Sequence, residues 1–415
     1  MSPYAIKCIE VIILKRILGI LGLILLVNTN NVFSTSYLFD VKNKVESSIS
    51  TIETAATPEF LFESESQILM EPLTGEIIYS NNEEEELLPA SVTKVMTLLL
   101  IMEQIDGGGL DYTDIVTCSK NASEMGGSQI WFKEGETLTI DEALKAICVV
   151  SANDVTVAMA ELIGGSEANF VIMMNAKAKE LGMEHTHFSN CHGIDEEGHY
   201  TCAKDIAIMA RELINKHPNI LKYTSIWMDS LRGGEFGLNS TNKLIRFYDG
   251  ATGLKTGYTS NAGYNLVATA TRGDNTYISV IMKAPSSDIR LAETKQLLDY
   301  AFSNFDTKKI CSNETILDEL KVNKNIDEKL KIKIAKPIYR LVQKGSNLEY
   351  AENIIIEPDL IAPIEIGQVV GRIEYKDTDS NEIVGESEIV ATNKLDKSKI
   401  NEYILYMFKN VFLLT

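Results

Sequence analysis

One helix limits what this chain can become. From Ser91 to Ile105 apolar residues run almost all round the helical wheel: Val92, Val95, Met96, Leu98, Leu99, Leu100 and Ile101. A helix without a polar face has to be covered on every side, so the rest of the chain must wrap layers around it. Three polar residues, Thr93, Lys94 and Thr97, stand out on that helix. A lysine among apolar neighbours is costly unless it is hydrogen-bonded or loses its charge. Residues three apart share a helix face, which brings Lys94 beside Ser91 at the helix start. A desolvated amine touching a serine hydroxyl can take its proton. Ser-x-x-Lys alone is a weak signal, because a serine N-cap followed by a surface lysine has the same spacing. The apolar surroundings of Lys94 argue against that simpler reading.

The layers that cover this helix are legible as an α+β pattern. Gln67 to Met70 and Glu76 to Tyr79 flank Pro72-Leu73-Thr74-Gly75, a hairpin with Pro and Gly in its turn. Glu83 to Glu86 reads as a solvated loop. Helical patterns dominate from Asp111 to about Asn242, for example Ile140 to Ser151 and Asp154 to Ile163. A second hairpin, Tyr264 to Thr271 and Thr276 to Lys283, turns at Arg272-Gly273-Asp274-Asn275, and a helix from Ser287 to Phe302 follows. After Asp306 short β-rich runs recur: Ile316 to Val322, Lys329 to Ala335, Ile338 to Val342, Asn353 to Ile356, Val369 to Tyr375 and Ile383 to Ala391. Their spacing predicts a small all-β domain. In the last stretch Ile400, Ile404, Met407, Phe408, Val411 and Thr415 share one helical stripe.

The N-terminus reads as a targeting segment. Lys7, Lys15 and Arg16 precede the apolar stretch Ile17 to Val27, which is too short to span a bilayer comfortably, and polar residues follow from Asn28. The expected organisation is a signal peptide over 1–34, a linker over 35–60, a catalytic body over 61–305, a β-rich domain over 306–396 and an amphipathic helix over 397–415. The formal net charge of -19 argues against nucleic acid as a partner. Past the signal, Cys118, Cys148, Cys191, Cys202 and Cys311 form no Cys-x-x-Cys pair and are odd in number, so buried free thiols are expected rather than a disulfide framework. The dense segment His185, His187, Cys191, His192, His199 and Cys202 has no standard zinc spacing, and no metal or cofactor is expected.

Two further motifs join Ser91 and Lys94. Ser151-Ala152-Asn153 lies on a turn between two helices, where a hydroxyl could pass a proton to a leaving amine and an amide could hold a carbonyl and the lysine. Lys255-Thr256-Gly257 opens a β-rich region. Each is weak alone, and Ser-x-Asn is by default a helix cap. The ordered set matches the signature shared by penicillin-binding proteins and class A β-lactamases.

Longer stretches extend the likeness: Leu88-Pro89-Ala90-Ser91-Val92-Thr93-Lys94-Val95-Met96-Thr97, Met174 to Met183, Gly253 to Thr259, Gly263 to Ala268, and Ala362-Pro363-Ile364 with Gly367 to Gly371. Over residues 60–415 the chain resembles the serine D-alanyl-D-alanine carboxypeptidases, the low-molecular-mass penicillin-binding proteins. The resemblance implies a body of antiparallel sheet plus helical subdomain, like that of serine β-lactamases and DD-peptidases. It implies Ser91 as the acylated nucleophile, Lys94 as its base, Ser151 and Asn153 as the second-motif pair, and Lys255 as a charge-stabilising lysine. Thr256, Gly257 and Arg290 would then lie at the substrate's terminal carboxylate, and the N–H groups of Ser91 and Tyr258 would form the oxyanion hole. The chain departs from the family pattern at Ala152, where glycine is commoner, and at Tyr258, where some members carry histidine.

The implied substrates are peptidoglycan stem peptides, with β-lactams as covalent inhibitors. The implied location is the outer face of the cytoplasmic membrane, held there by the C-terminal helix. A β-lactamase and a catalytically silent peptidoglycan-binding protein are the rival readings.

Overall fold

The computed structural model describes residues 60–412, apart from 315, 327, 347, 348 and 379, with side chains described as far as Phe408. The expected signal peptide and nearly all of the linker lie outside the described residues, as do Thr415 and the Val411 side chain of the C-terminal stripe.

Strands β1 (Ser66–Met70), β2 (Ile77–Asn81), β3 (Ala251–Thr259), β4 (Gly263–Arg272) and β5 (Asn275–Ala284) make one antiparallel sheet in the order β2-β1-β5-β4-β3. The first hairpin turns where expected. The Glu71 carboxylate accepts from the N–H groups of Leu73 (3.1 Å) and Thr74 (2.6 Å). Gly75 follows at φ +81, a conformation that favours glycine. The sheet order leaves β3, with Lys255-Thr256-Gly257, as an edge strand.

The principal helices of the body are α1 (Lys94–Asp106), α2 (Ile140–Val150), α3 (Asn153–Gly164), α4 (Glu167–Glu180), α5 (Ala203–Lys216) and α6 (Ser287–Asn304). Every residue of α1 from Lys94 to Met102 is buried. Its apolar circumference is met by α3, α4, α5 and β3, the covering that such a helix requires. Ser91 does not open α1, contrary to expectation. It lies in a 3₁₀ turn, Ala90–Thr93, that precedes the helix. Ala90 holds that turn at φ +48, and the Thr93 hydroxyl donates back to the Ala90 carbonyl at 2.8 Å. Helix α2 starts with a capping box from Thr139 and Glu142 and ends at Ser151, whose φ is 64. The second motif therefore occupies a tight corner between α2 and α3.

A second, smaller β unit follows α6. Strand β6 (Phe305–Cys311) pairs with β9 (Ile338–Gln343). Strands β7 (Asp318–Leu320), β8 (Leu330–Ile334), β10 (Tyr350–Ile356), β11 (Val369–Asp377) and β12 (Ile383–Ala391) form a sheet in the order β7-β8-β12-β11-β10. Leu330, Ile332, Ile334, Val370, Ile373, Ile389 and Leu395 fill its core. Strand β6 has no counterpart in the sequence reading: Thr307 is its one buried residue while Lys308 and Lys309 are exposed, and its pairing partner lies far along the chain. The chain ends on α7 (Ile400–Phe412), where Ile400, Ile404, Leu405, Met407 and Phe408 are exposed.

The cysteines Cys118, Cys148, Cys191 and Cys202 are buried free thiols, and Cys311 is half-buried and free. The histidine-rich segment serves as loop scaffolding. His199 accepts from the Ser189 N–H on Nδ1 (2.9 Å) and meets the Thr93 hydroxyl with Nε2 (2.8 Å). His187 Nδ1 lies 2.7 Å from the Gly198 carbonyl oxygen. Among the described residues no group of three His, Cys, Asp or Glu side chains is arranged to hold a metal ion.

Candidate active site

The 3₁₀ turn, the start of α1 and the α2–α3 corner bring Ser91, Lys94 and Asn153 into contact. The Lys94 Nζ lies 3.0 Å from Ser91 Oγ, 2.7 Å from Asn153 Oδ1 and 2.7 Å from the His192 carbonyl oxygen. Two of these neighbours can only accept. A neutral amine has two N–H donors and one lone pair. With both donors used on Asn153 and His192, the lone pair faces the Ser91 hydroxyl. Burial first, and the nearby Lys255 charge second, hold Lys94 well below the usual lysine range. Two ammonium groups in one water-poor site repel each other strongly, so burial and the Lys255 charge both favour the neutral form of Lys94.

The supports of this triangle are also fixed. The Asn153 N–H donates to the Ser128 carbonyl at 2.7 Å, and its Nδ2 donates to the Gly126 carbonyl at 2.8 Å, which orients the amide so that Oδ1 faces Lys94. His192 sits in a turn tied by Asn190 Oδ1, which accepts from Gly193 N–H at 2.7 Å. A Cβ on Gly193 would fall 1.9 Å from the Ala90 carbonyl oxygen, so this turn approaches the Ser91 turn as only glycine permits.

The third motif closes the site from the sheet edge. Lys255 is buried, donates to the Thr256 carbonyl at 2.8 Å, and is pulled down to about 7, chiefly by burial, with the Arg290 charge adding to the effect. A Cβ on Gly257 would lie 2.7 Å from the Pro89 carbonyl oxygen and 3.1 Å from the Val92 nitrogen. The glycine of the motif therefore lets β3 lie close against the Ser91 turn. The Thr256 hydroxyl pairs with that of Thr241 at 2.8 Å. Tyr258 is exposed, its ring 4.3 Å from that of Tyr264.

Between these elements lies a cleft of about 300 Å³ lined by Ser91, Ser128, Ser151, Thr241, Thr256, Gly257, Tyr258, Tyr264, Ser287 and Arg290. Arg290, on the first turn of α6, donates from Nη1 to the Asn265 carbonyl at 3.1 Å, while its buried Nε has no protein partner. The Ser151 Oγ is likewise buried without a partner. Both are buried polar atoms without a protein partner, on residues that line the cleft. Lys94, Asn153 and Lys255 stand behind the cleft wall.

The sequence reading missed Asn265, which is fully buried. Its Nδ2 donates to the carbonyls of Leu88 (2.9 Å) and Pro89 (3.1 Å), and its Oδ1 accepts from the Lys283 N–H (2.7 Å). It fastens the sheet to the segment that leads into the Ser91 turn. A polar residue between aromatic and aliphatic strand neighbours was the available signal. Ser128, Thr241 and Ser287 were also missed, and as isolated small polar residues they carry no sequence signal.

The pattern of the family described as D-alanyl-D-alanine carboxypeptidase matches residues 52–286, and that of the penicillin-binding protein 5 C-terminal domain matches residues 305–397. The chain belongs to the D-alanyl-D-alanine carboxypeptidase family. It is 41% identical over 346 residues to the D-alanyl-D-alanine carboxypeptidase DacF of Bacillus subtilis, covering 82% of this chain and 88% of that one. Penicillin-binding protein 5 of Haemophilus influenzae superimposes with a TM-score of 0.70 at 29% identity, over 82% of this chain and 99% of that structure. Penicillin-binding protein D2 of Listeria monocytogenes in its ampicillin-bound form matches with a TM-score of 0.54 at 28% identity, over 59% of this chain and 99% of that one. As a member of this family the chain is a serine hydrolase of the D-Ala-D-Ala carboxypeptidase and penicillin-binding type.

Proposed function

We propose that Ser91 is acylated by the penultimate D-alanine of a peptidoglycan stem peptide, with neutral Lys94 as its base, and that water then releases the shortened peptide. The observation that carries this reading is the threefold contact of Lys94 Nζ, which leaves a lone pair aimed at the Ser91 hydroxyl. Lys94 takes the Ser91 proton as Oγ attacks the carbonyl carbon. The N–H groups of Ser91 and Tyr258 stabilise the developing oxyanion. As the C–N bond breaks, the Ser151 hydroxyl, buried without a protein partner, hands its proton to the departing D-alanine nitrogen and regains one from the Lys94 ammonium, which returns Lys94 to the neutral form. Lys255 keeps the site positive as negative charge develops. Arg290, with Thr256, takes the terminal carboxylate through a planar fork suited to two parallel hydrogen bonds.

A β-lactam enters by the same attack on its ring carbonyl and leaves the acyl-enzyme slowly. Covalent labelling with a fluorescent penicillin tests the nucleophile. Ser91→Ala should abolish labelling while the protein unfolds at an unchanged temperature, and retained labelling would refute the assignment.

The same reading places the enzyme outside the cytoplasmic membrane, with α7 lying on the membrane surface. Ile400, Ile404, Leu405, Met407 and Phe408 are exposed together on one short helix, and Lys397 and Lys399 are exposed beside it. Such a helix lies in the interface plane of a bilayer. Lys394 contributes less to this attraction, because it is ion-paired with Glu365 (3.0 Å) and Asp396 (3.5 Å). Among the described residues no single helix is long and apolar enough to cross a membrane.

A further inference from the structure

An exposed aromatic side chain three residues along the chain from the cleft-lining Ser128 is not used by acyl transfer. Trp131 is 64% exposed, and its backbone stands at φ +53, a region that a bulky residue enters only under constraint. Four hydrogen bonds supply the constraint. The Asp154 carboxylate accepts from the N–H groups of Ile130 (3.0 Å) and Phe132 (2.9 Å) on either side. The Arg232 guanidinium donates to the carbonyls of Ile130 (3.1 Å) and Trp131 (3.4 Å). Arg232 is itself held by Glu136 at 2.7 Å and lies 5.3 Å above the Phe236 ring. Phe236 in turn meets the indole edge-on, with centroids 5.9 Å apart.

Such a backbone is strained for a bulky residue, and an outward indole forgoes the burial of much of its roughly 150–250 Å². Core packing explains neither. The platform also stands close to the chemistry. Asp154 directly follows Asn153. Ser128, which lines the cleft, is three residues from Trp131, at most about 10 Å of chain. The hairpin bearing Phe236 (Met228–Leu231 paired with Phe236–Asn239) runs on to Thr241, another residue of the cleft lining.

We propose that Trp131, backed by Phe236, is a carbohydrate platform that takes the pyranose ring of an N-acetylated amino sugar in the glycan bearing the peptide. The inference rests on the reading of the substrate as a glycan-linked peptide. The 300 Å³ cleft has room for the reacting end of the peptide, so the remainder must cross the rim. A flat, exposed indole suits the C–H face of a sugar. The cation against the platform, Arg232, is occupied by Glu136 and two carbonyls, so the position does not call for a charged ligand.

The test compares kcat/KM on a free pentapeptide with that on the same peptide linked to an N-acetylglucosaminyl-N-acetylmuramyl disaccharide, using the full chain. The wild type should prefer the glycan-linked substrate at least fivefold, mostly through KM. Trp131→Ala should erase that preference, and Trp131→Phe should keep part of it. A wild-type ratio near one, or a ratio unmoved in Trp131→Ala, overturns the proposal. An enzyme inactive on both substrates would instead refute the carboxypeptidase reading itself. A second readout does not depend on the alanine variant folding. Trp131 and Trp227 are the two tryptophans of the chain. Oligomers of N-acetylglucosamine should shift the fluorescence of the wild type and of Trp227→Phe but not of Trp131→Phe. Loss of the shift in Trp227→Phe alone overturns the assignment.

Discussion

Replacing Arg290 by methionine removes the cation from the far end of the cleft while keeping a side chain of similar length. Burial holds this guanidinium down to about 10 against an ordinary 12.5, equivalent to roughly 3 kcal/mol of lost hydration. In the empty enzyme little offsets that loss. Nη1 has the Asn265 carbonyl, Nε has no partner, and the Tyr264 ring lies 5.8 Å away. A substrate carboxylate bonded to the open N–H groups would recover most of it. Arg290→Met should therefore lower kcat/KM on a peptide ending in free D-alanine by about 2–3 kcal/mol, or about 30- to 150-fold. The same peptide with a C-terminal amide should lose less than about threefold, since it has no charge to pair.

The empty variant should also be at least as stable as wild type, because an unpaired buried charge has been replaced by an apolar group. The assay is D-alanine release from the two peptides, with thermal unfolding of both proteins alongside. An equal loss on both peptides would show that Arg290 does not read the carboxylate. A clear drop in the melting temperature of Arg290→Met would show that the arginine is structural.

Lys94→Ala should lose penicillin labelling almost entirely, whereas Lys255→Ala should lose about 2.7–4 kcal/mol of turnover, like removal of one oxyanion donor. Near wild-type labelling of Lys94→Ala would refute the base assignment. Burial holds His192 at about 3 and His199 at about 4, against an ordinary 6.5. Both groups favour the neutral form in the fold, so their contribution is complete above pH 6.5 and is lost as pH falls towards 4, by about 1.4 kcal/mol per pH unit for each. Urea unfolding at pH 7, 6 and 5 should show this slope, and it should be shallower in His199→Gln; an unchanged slope would clear His199 of the effect. Truncation after Asp396 should leave activity on soluble peptide and abolish binding to anionic vesicles. Equal vesicle binding by the truncated and full-length proteins would refute anchoring by α7.

Much of the architecture could be read from local pattern. The hairpins around Gly75 and Gly273, the helix after Ser287 and the β-rich runs after Asp306 all rest on periodicities and turn residues that neighbours in sequence impose. Strand β6 could not be read this way, because its partner β9 begins only at Ile338, after two further strands. The 3₁₀ turn at Ser91 escaped for a related reason. It depends on Ala90 at φ +48 with Gly193 pressed against its carbonyl, a contact between residues about a hundred positions apart.

The site divides along the same line. The order Ser-x-x-Lys, Ser-x-Asn, Lys-Thr-Gly, and the burial of Lys94 on a helix with no polar face, follow from the sequence alone, because composition and spacing determine them. Tertiary structure alone decided what those residues face. The His192 carbonyl accepts one Lys94 N–H, Asn265 straps the sheet to the Ser91 turn, Gly257 admits the edge strand, and the Arg290 Nε is left without a protein partner. Each of these depends on backbone groups brought within hydrogen-bonding or van der Waals distance by packing. A carbonyl has the same chemistry at every residue, so no pattern of side chains along the chain marks which one will accept the hydrogen bond.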